Sequence, residues 1–208
     1  MQYLFTVSAA ILATASAFTA PRPLRAAPKR TVRSLTTMSG LIGFATMSGN
    51  SERIAGYIGD QTGVSPTPIA DVTAAALEAA DWIVLGSPTW NTGADDMRSG
   101  TDIDDWLYSE LPNADLSGKK VGLFGLGDSC GYSGNYCDSV GEVYDCVTAR
   151  GATVVGFTSQ DGYEHYDSKA IRDDKFCGMM CDEQNQMDQS EDRATAWVAQ
   201  LKAEGMPL

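Results

Sequence analysis

Residues 39–208 predict an α/β domain, a doubly wound five-stranded parallel sheet with helices on both faces. Three observations carry this. Short apolar runs recur along the chain and alternate with segments in which apolar residues return at helical spacing. The clearest runs are continuous rather than alternating with polar residues, as strands covered on both faces should be. Several of them end in loops rich in Gly, Ser and Thr, at the strand ends where such sheets place their ligands.

Leu41–Ala45 reads as the first buried strand, and Ile54, Tyr57 and Ile58 then recur as one face of a helix. Pro68–Val72 is a weaker second strand, followed by an alanine-rich helix over 74–80. Trp82–Gly86 is the third strand, Val121–Gly125 the fourth, and Ala152–Gly156 begins the fifth. The polar stretch Thr158–Lys175 interrupts the fifth-strand region as a long inserted loop. Ala194, Trp197, Val198 and Leu201 mark an amphipathic closing helix.

The first 38 residues are unlike the rest. They carry Arg22, Arg25, Lys29, Arg30 and Arg33 and no acidic residue. Residues 3–18 form an apolar run of signal-peptide length, too short for a comfortable membrane span, and the basic stretch 19–38 reads as a transit segment. Ala15–Pro21 resembles the processing site of such two-part addresses, with Phe18 first after cleavage. Residues 1–38 are therefore expected to be a bipartite presequence that directs 39–208 to the plastid stroma. A plain secretory signal is the alternative, against which stand five cysteines, an odd number without evident disulfide spacing.

Removing the five presequence cations from the 15 basic and 27 acidic residues leaves a formal charge of −17 on residues 39–208. Nucleic acid and anionic membrane surfaces are disfavoured partners for such a chain. A basic protein partner is favoured, with attraction that weakens as salt rises. One histidine and no C-x-x-C pair leave no zinc or iron–sulfur site, so the cysteines are expected to be reduced and structural. A redox role then requires an organic cofactor.

Three loops carry the chemistry. Thr46-Met47-Ser48-Gly49-Asn50-Ser51 leads from the first strand into a helix, combining a tight glycine turn, hydroxyls and backbone amides at a helix N-terminus. Asn50 stands where a nucleotide triphosphate loop needs lysine, so the loop suits a single terminal phosphate held by neutral donors. Pro88-Thr89-Trp90-Asn91-Thr92-Gly93 follows the third strand and presents a tryptophan able to stack on a planar ligand. Leu126-Gly127-Asp128 through Tyr132, Asn135, Tyr136 and Cys137 follows the fourth, offering a second aromatic in Tyr132 and glycines that let backbone amides approach a ring edge. Together the loops describe a phosphorylated planar cofactor held between two rings.

These motifs resemble those of flavodoxins, and the resemblance runs over residues 40–205. Thr46–Ser51 resembles the family's T-x-T/S-G-N/K-T/S, Pro88–Asn91 its P-T-W-N, and Gly127-Asp128 with Gly131-Tyr132 its second flavin loop. Thr158–Lys175 and Trp197–Lys202 resemble the long-chain class. The resemblance implies a flavodoxin-like fold with bound FMN. Thr46, Met47, Ser48, Gly49, Asn50 and Ser51 would bind its phosphate, and Trp90 and Tyr132 would sandwich the isoalloxazine. Asn91, Thr92, Gly127, Asp128, Asn135 and Cys137 would line the ring edge, with Pro88, Thr89, Gly93, Leu126 and Tyr136 completing the two ring loops. Leu126 and Cys137 depart from the family pattern, and Asp95–Asp102 is a few residues longer than usual.

The resemblance further implies a monomeric, low-potential one-electron carrier without catalytic or metal-ligating residues. It would move electrons from photosystem I to ferredoxin–NADP reductase in place of ferredoxin, docking through an acidic rim that includes Asp95, Asp96 and Asp128. An FMN-dependent NAD(P)H:quinone reductase of the same fold is the alternative. That enzyme needs one flavin face open and basic residues for the incoming nucleotide, and the loops offer only Arg53 and Arg98. A phospho-receiver module would need an acidic cluster after the first strand, where this chain has hydroxyls and glycine.

Overall fold

The computed structural model describes Gln2 and residues 39–208, so the presequence readings on 3–38 lie outside the described residues. Five parallel strands form the main path of the sheet: β1 (Gly40–Phe44), β2 (Thr67–Pro68), β3 (Trp82–Pro88), β4 (Lys120–Leu126) and β5 (Thr153–Val155), in the order β2-β1-β3-β4-β5, and a sixth pairs with β4. The helices are α1 (Asn50–Thr62), α2 (Ala74–Ala79), α3 (Ile103–Ser109), α4 (Asp138–Ala149) and α5 (Ser190–Ala203).

Alternate residues of each strand feed two cores. Ile42, Trp82, Val84 and Phe124 pack against Ile54 and Ile58 of α1 and Trp197 and Leu201 of α5. Ile83, Leu85, Val121 and Leu123 face the other way, against Leu77, Trp106, Val140 and Val143 of α2, α3 and α4. Burial on both faces is why β3 reads as an unbroken apolar run. Gly86 is required inside it: a Cβ there would stand 1.8 Å from the Phe124 ring, which lies across β3.

Two sequence expectations are corrected. The second strand pairs only through Thr67–Pro68, and Ile69–Asp71 turns into a 3₁₀ helix instead of continuing to Val72. Pro68 offers no backbone N–H for a longer ladder, and it sits on an edge strand, where proline is tolerated. The fifth-strand position is shared. β5 pairs with Lys120–Gly122, whereas β8 (Met179–Cys181), which returns from the insertion, pairs in parallel with Phe124–Leu126. Within the insertion, β6 (Ile171–Arg172) and β7 (Lys175–Phe176) form a small antiparallel ribbon.

All five cysteines are free thiols. Cys177 precedes β8 and Cys181 ends it, and the two are buried in opposite cores. Among the described residues no helix is long and apolar enough to cross a membrane, and no cluster of His, Cys, Asp and Glu suits a metal ion.

Candidate functional site

A cleft opens at the carboxyl ends of β1, β3 and β4, beside the point where the strand order reverses. Its first wall is the loop from β1 into α1, which contributes Thr46, Met47, Ser48, Asn50 and Ser51. Gly49 itself does not line the cleft. It adopts φ +84 as the residue before α1, a left-handed conformation costly to any residue with a Cβ, and so aims its neighbours. Its N–H donates to Thr46 Oγ1 at 2.9 Å, closing the turn. Ser51 is 1 % exposed, and its hydroxyl has no hydrogen-bond partner within the protein. A buried hydroxyl left unpaired costs free energy unless a ligand completes it, and here it lies at the positive end of a 13-residue helix.

The second wall is the loop after β3, through Pro88, Thr89, Trp90 and Thr92. Trp90 is 48 % exposed, against 2–4 % for Trp82, Trp106 and Trp197. Its loop is a hairpin: Trp90 N–H donates to Ser99 O and Asn91 N–H to Arg98 O, both at 3.1 Å. Asn91 is occupied within that hairpin, its amide donating to Met97 O at 2.8 Å, and does not line the cleft. Gly93, at φ +80, forms the tip of the turn that Ala94 N–H closes onto Asn91 O.

The third wall is the loop after β4, with Leu126, Gly127, Asp128, Tyr132 and Asn135. Tyr132 is 57 % exposed. The carboxylate of Asp128 accepts the N–H of Gly131 at 2.7 Å and of Cys130 at 3.2 Å, which folds the loop on itself. Cys137, expected at the ring edge, and Tyr136, expected in the ring loop, are both fully buried and do not line the cleft. Tyr136 packs against Tyr163, His165 and Phe176 of the insertion. Cys137 takes φ 56 at the start of α4, and burial raises its thiol pKa well above the usual range. These two residues lead into a helix whose inner face is core, which the loop composition does not reveal.

Two lining residues carried no sequence signal. Glu183 and Gln184 follow β8 and join the cleft beside the first loop. Glu183 pairs with Arg53 of α1, which also donates to Asn50 Oδ1 at 3.1 Å. Next to them Asp182, with no exposed surface, accepts from Ser129 N–H at 2.9 Å, Ser129 Oγ at 2.6 Å and the N–H groups of Gln184 and Asn185. Burial pushes its pKa up, but the bonds from Ser129 and Asn185 outweigh it and hold the carboxyl below the ordinary 3.8. None of the lining residues is Lys or Arg.

Comparison with known proteins agrees with this arrangement. The family described as Flavodoxin matches residues 42–197. The flavodoxin of Nostoc sp. is 41 % identical over 174 residues, covering 80 % of this chain and 98 % of that protein. Flavodoxin 1 of Escherichia coli is 36 % identical over 165 residues, covering 77 % and 91 %. A crystal structure of Fusobacterium nucleatum flavodoxin bound to flavin mononucleotide superposes with a TM-score of 0.71 at 28 % identity, over 80 % of this chain and 98 % of that one. The chain belongs to the flavodoxin family, itself a standard example of the 2-1-3-4-5 sheet and of ligand binding at its switch point.

Proposed function

We propose that this member of the flavodoxin family binds FMN in the cleft and serves as a low-potential one-electron carrier, an electron-transfer protein rather than an enzyme. One observation carries the reading. Loops from three separate strands meet at one cleft, with an unpartnered buried hydroxyl in one wall and a half-exposed aromatic in each of the other two.

The donor set fits the group. Thr46, Ser48, Asn50 and Ser51 with the N-terminus of α1 would hold the phosphate through neutral donors. Trp90 and Tyr132 would hold the ring and keep water from it, with the Gly127 and Asp128 backbone along its edge. When bound, FMN supplies the exchange of single electrons. The residues set how readily negative charge is accepted there. No lining cation offsets it, and Asp128 with the paired Glu183 adds negative potential, which lowers the affinity for an added electron. Reconstitution with FMN followed by anaerobic reductant titration tests this. Tight 1:1 binding and two resolvable one-electron steps are expected. Failure to bind FMN, or direct two-electron reduction by NADPH, would overturn it.

Photosystem I as donor and ferredoxin–NADP reductase as acceptor, in the plastid stroma, complete the proposal. Supporting it are the −17 charge of residues 39–208, the acid-free first 38 residues, and a family match that starts only at residue 42. Electron uptake from illuminated photosystem I should slow as salt rises. Import into isolated plastids should yield a product starting near residue 39, and a chain that is secreted intact would refute the address.

A further inference from the structure

We propose that Glu142 of α4 is a positioning residue for the ring-binding half of the cleft, holding the Trp90 hairpin in place from behind; this rests on the FMN reading above. Glu142 is 5 % exposed and stands on a helix whose neighbouring inward residues, Val140, Val143 and Val147, are apolar. A carboxylate in such a place is costly unless its oxygens are fully partnered. Its partners come mainly from the Trp90 hairpin. Met97 N–H donates to Oε1 at 2.8 Å and Arg98 N–H to Oε2 at 3.1 Å, while the Arg98 guanidinium lies 3.9 Å away. Tyr108 OH adds a bond at 2.5 Å from α3.

Met97 adopts φ 51, a conformation uncommon outside glycine, asparagine and aspartate. The two adjacent N–H groups converge on one carboxylate across that residue, which explains how the strain is tolerated. Arg98 also binds Ala94 O at 3.1 Å and the Asp95 carbonyl, so the same residue folds the loop tip back. The extra length at Asp95–Asp102 is therefore a closed structure. If the hairpin swung away, a buried charge would lose three of its four partners. Trp90 and Asn91 pair directly with Ser99 and Arg98, so fixing 97–98 fixes the ring wall. Glu142 does not itself line the cleft and acts only through the hairpin.

The test uses the full-length protein and its E142A and E142Q variants. Acrylamide quenching of the apoprotein reports chiefly on Trp90, because the other three tryptophans are buried. E142A should raise the quenching constant by about twofold and weaken FMN and riboflavin binding equally, each on the order of tenfold. It should also shift the visible band of bound flavin. E142Q, which keeps one acceptor oxygen, should fall between. A folded E142A with unchanged quenching and unchanged riboflavin affinity overturns the proposal, as does a loss confined to FMN, which would place the effect at the phosphate. Should E142A not fold, amide exchange in the wild type decides. Met97 and Arg98 should exchange at least ~100-fold more slowly than Asp95 and Asp96, and equal rates overturn the clamp. A wild type that takes up neither flavin overturns the cofactor reading, whereas exchange and quenching still decide the clamp.

Discussion

The loop after β3 and the loop after β4 do the same work by different means. Each presents one half-exposed aromatic to the cleft. The Trp90 loop closes on itself as a hairpin, and its returning arm is held by carboxylates on the helices packed beside it. Asp104 takes Ser99 N–H at 3.0 Å and Gly100 N–H at 2.7 Å, and Glu142 takes Met97 and Arg98. The Tyr132 loop is tied instead to chain far downstream. Ser133 O accepts from Tyr166 N–H at 3.0 Å and Asp167 N–H at 3.2 Å. Asp182 takes Ser129, and Asn185 bridges Asp182 to Asp128 at 2.9 Å. The first loop thus depends on α3 and α4, and the second on the insertion and on the turn after β8. The insertion, on this comparison, is part of the support of the ring site.

The largest effect should come from Asp182→Ala. It strands the buried N–H and hydroxyl of Ser129 without an acceptor and removes the partner of the exposed Asn185 amide, and should cost about 3 kcal/mol in urea unfolding. Riboflavin binding should weaken with no change in Trp90 quenching. A loss of the ordinary surface size would show that the downstream tie is ornamental to the Tyr132 loop.

Gly141→Ala sharpens the same point. A Cβ there would lie 2.0 Å from the Lys169 carbonyl oxygen, a backbone atom that cannot swing aside. The insertion must shift, at about 2 kcal/mol, and flavin affinity should fall through the Tyr132 side alone. Thermal unfolding with paired flavin titration would reveal this, and a shift in Trp90 quenching would contradict the division of labour.

The smallest effect is in pH slope, where the two supporting carboxylates should act in opposite senses. Burial raises Asp104 above 3.8, against the bonds from Ser99 and Gly100. A raised carboxyl contributes stability below its unfolded value, and that contribution is lost as pH rises through the folded one. Asp182 is lowered, so its contribution is present above 3.8 and lost as pH falls through its folded value. On acidification wild type should therefore gain stability relative to Asp104→Asn as pH falls toward 3.8, and lose it relative to Asp182→Asn as pH falls on below 3.8. Parallel slopes in acid unfolding would break the contrast.

The elements and the three cleft loops were legible because their causes are local. An apolar run of five residues is buried wherever it sits in such a sheet, Gly49 and Gly93 are needed for left-handed turns, and Thr46-x-Ser-Gly-Asn-Ser places its donors within one helical turn. Glu142 and Asp182 were not legible, since an acidic residue in a helix or turn reads as solvated surface until the chain that covers it is known.

From sequence alone came the α/β class, the unpaired cysteines, and the glycine- and hydroxyl-rich loop and two aromatics that line the cleft. The tertiary structure alone decided that two strands share the fifth position, that Tyr136 and Cys137 lie under the loop, and that Glu183 and Gln184 join the cleft. The physical reason is separation along the chain. Arg53 meets Glu183 across 130 residues and Ser129 meets Asp182 across 53, and no periodicity or turn chemistry encodes a contact of that range. Such contacts form only because the sheet brings the carboxyl ends of β1, β4 and β8 together.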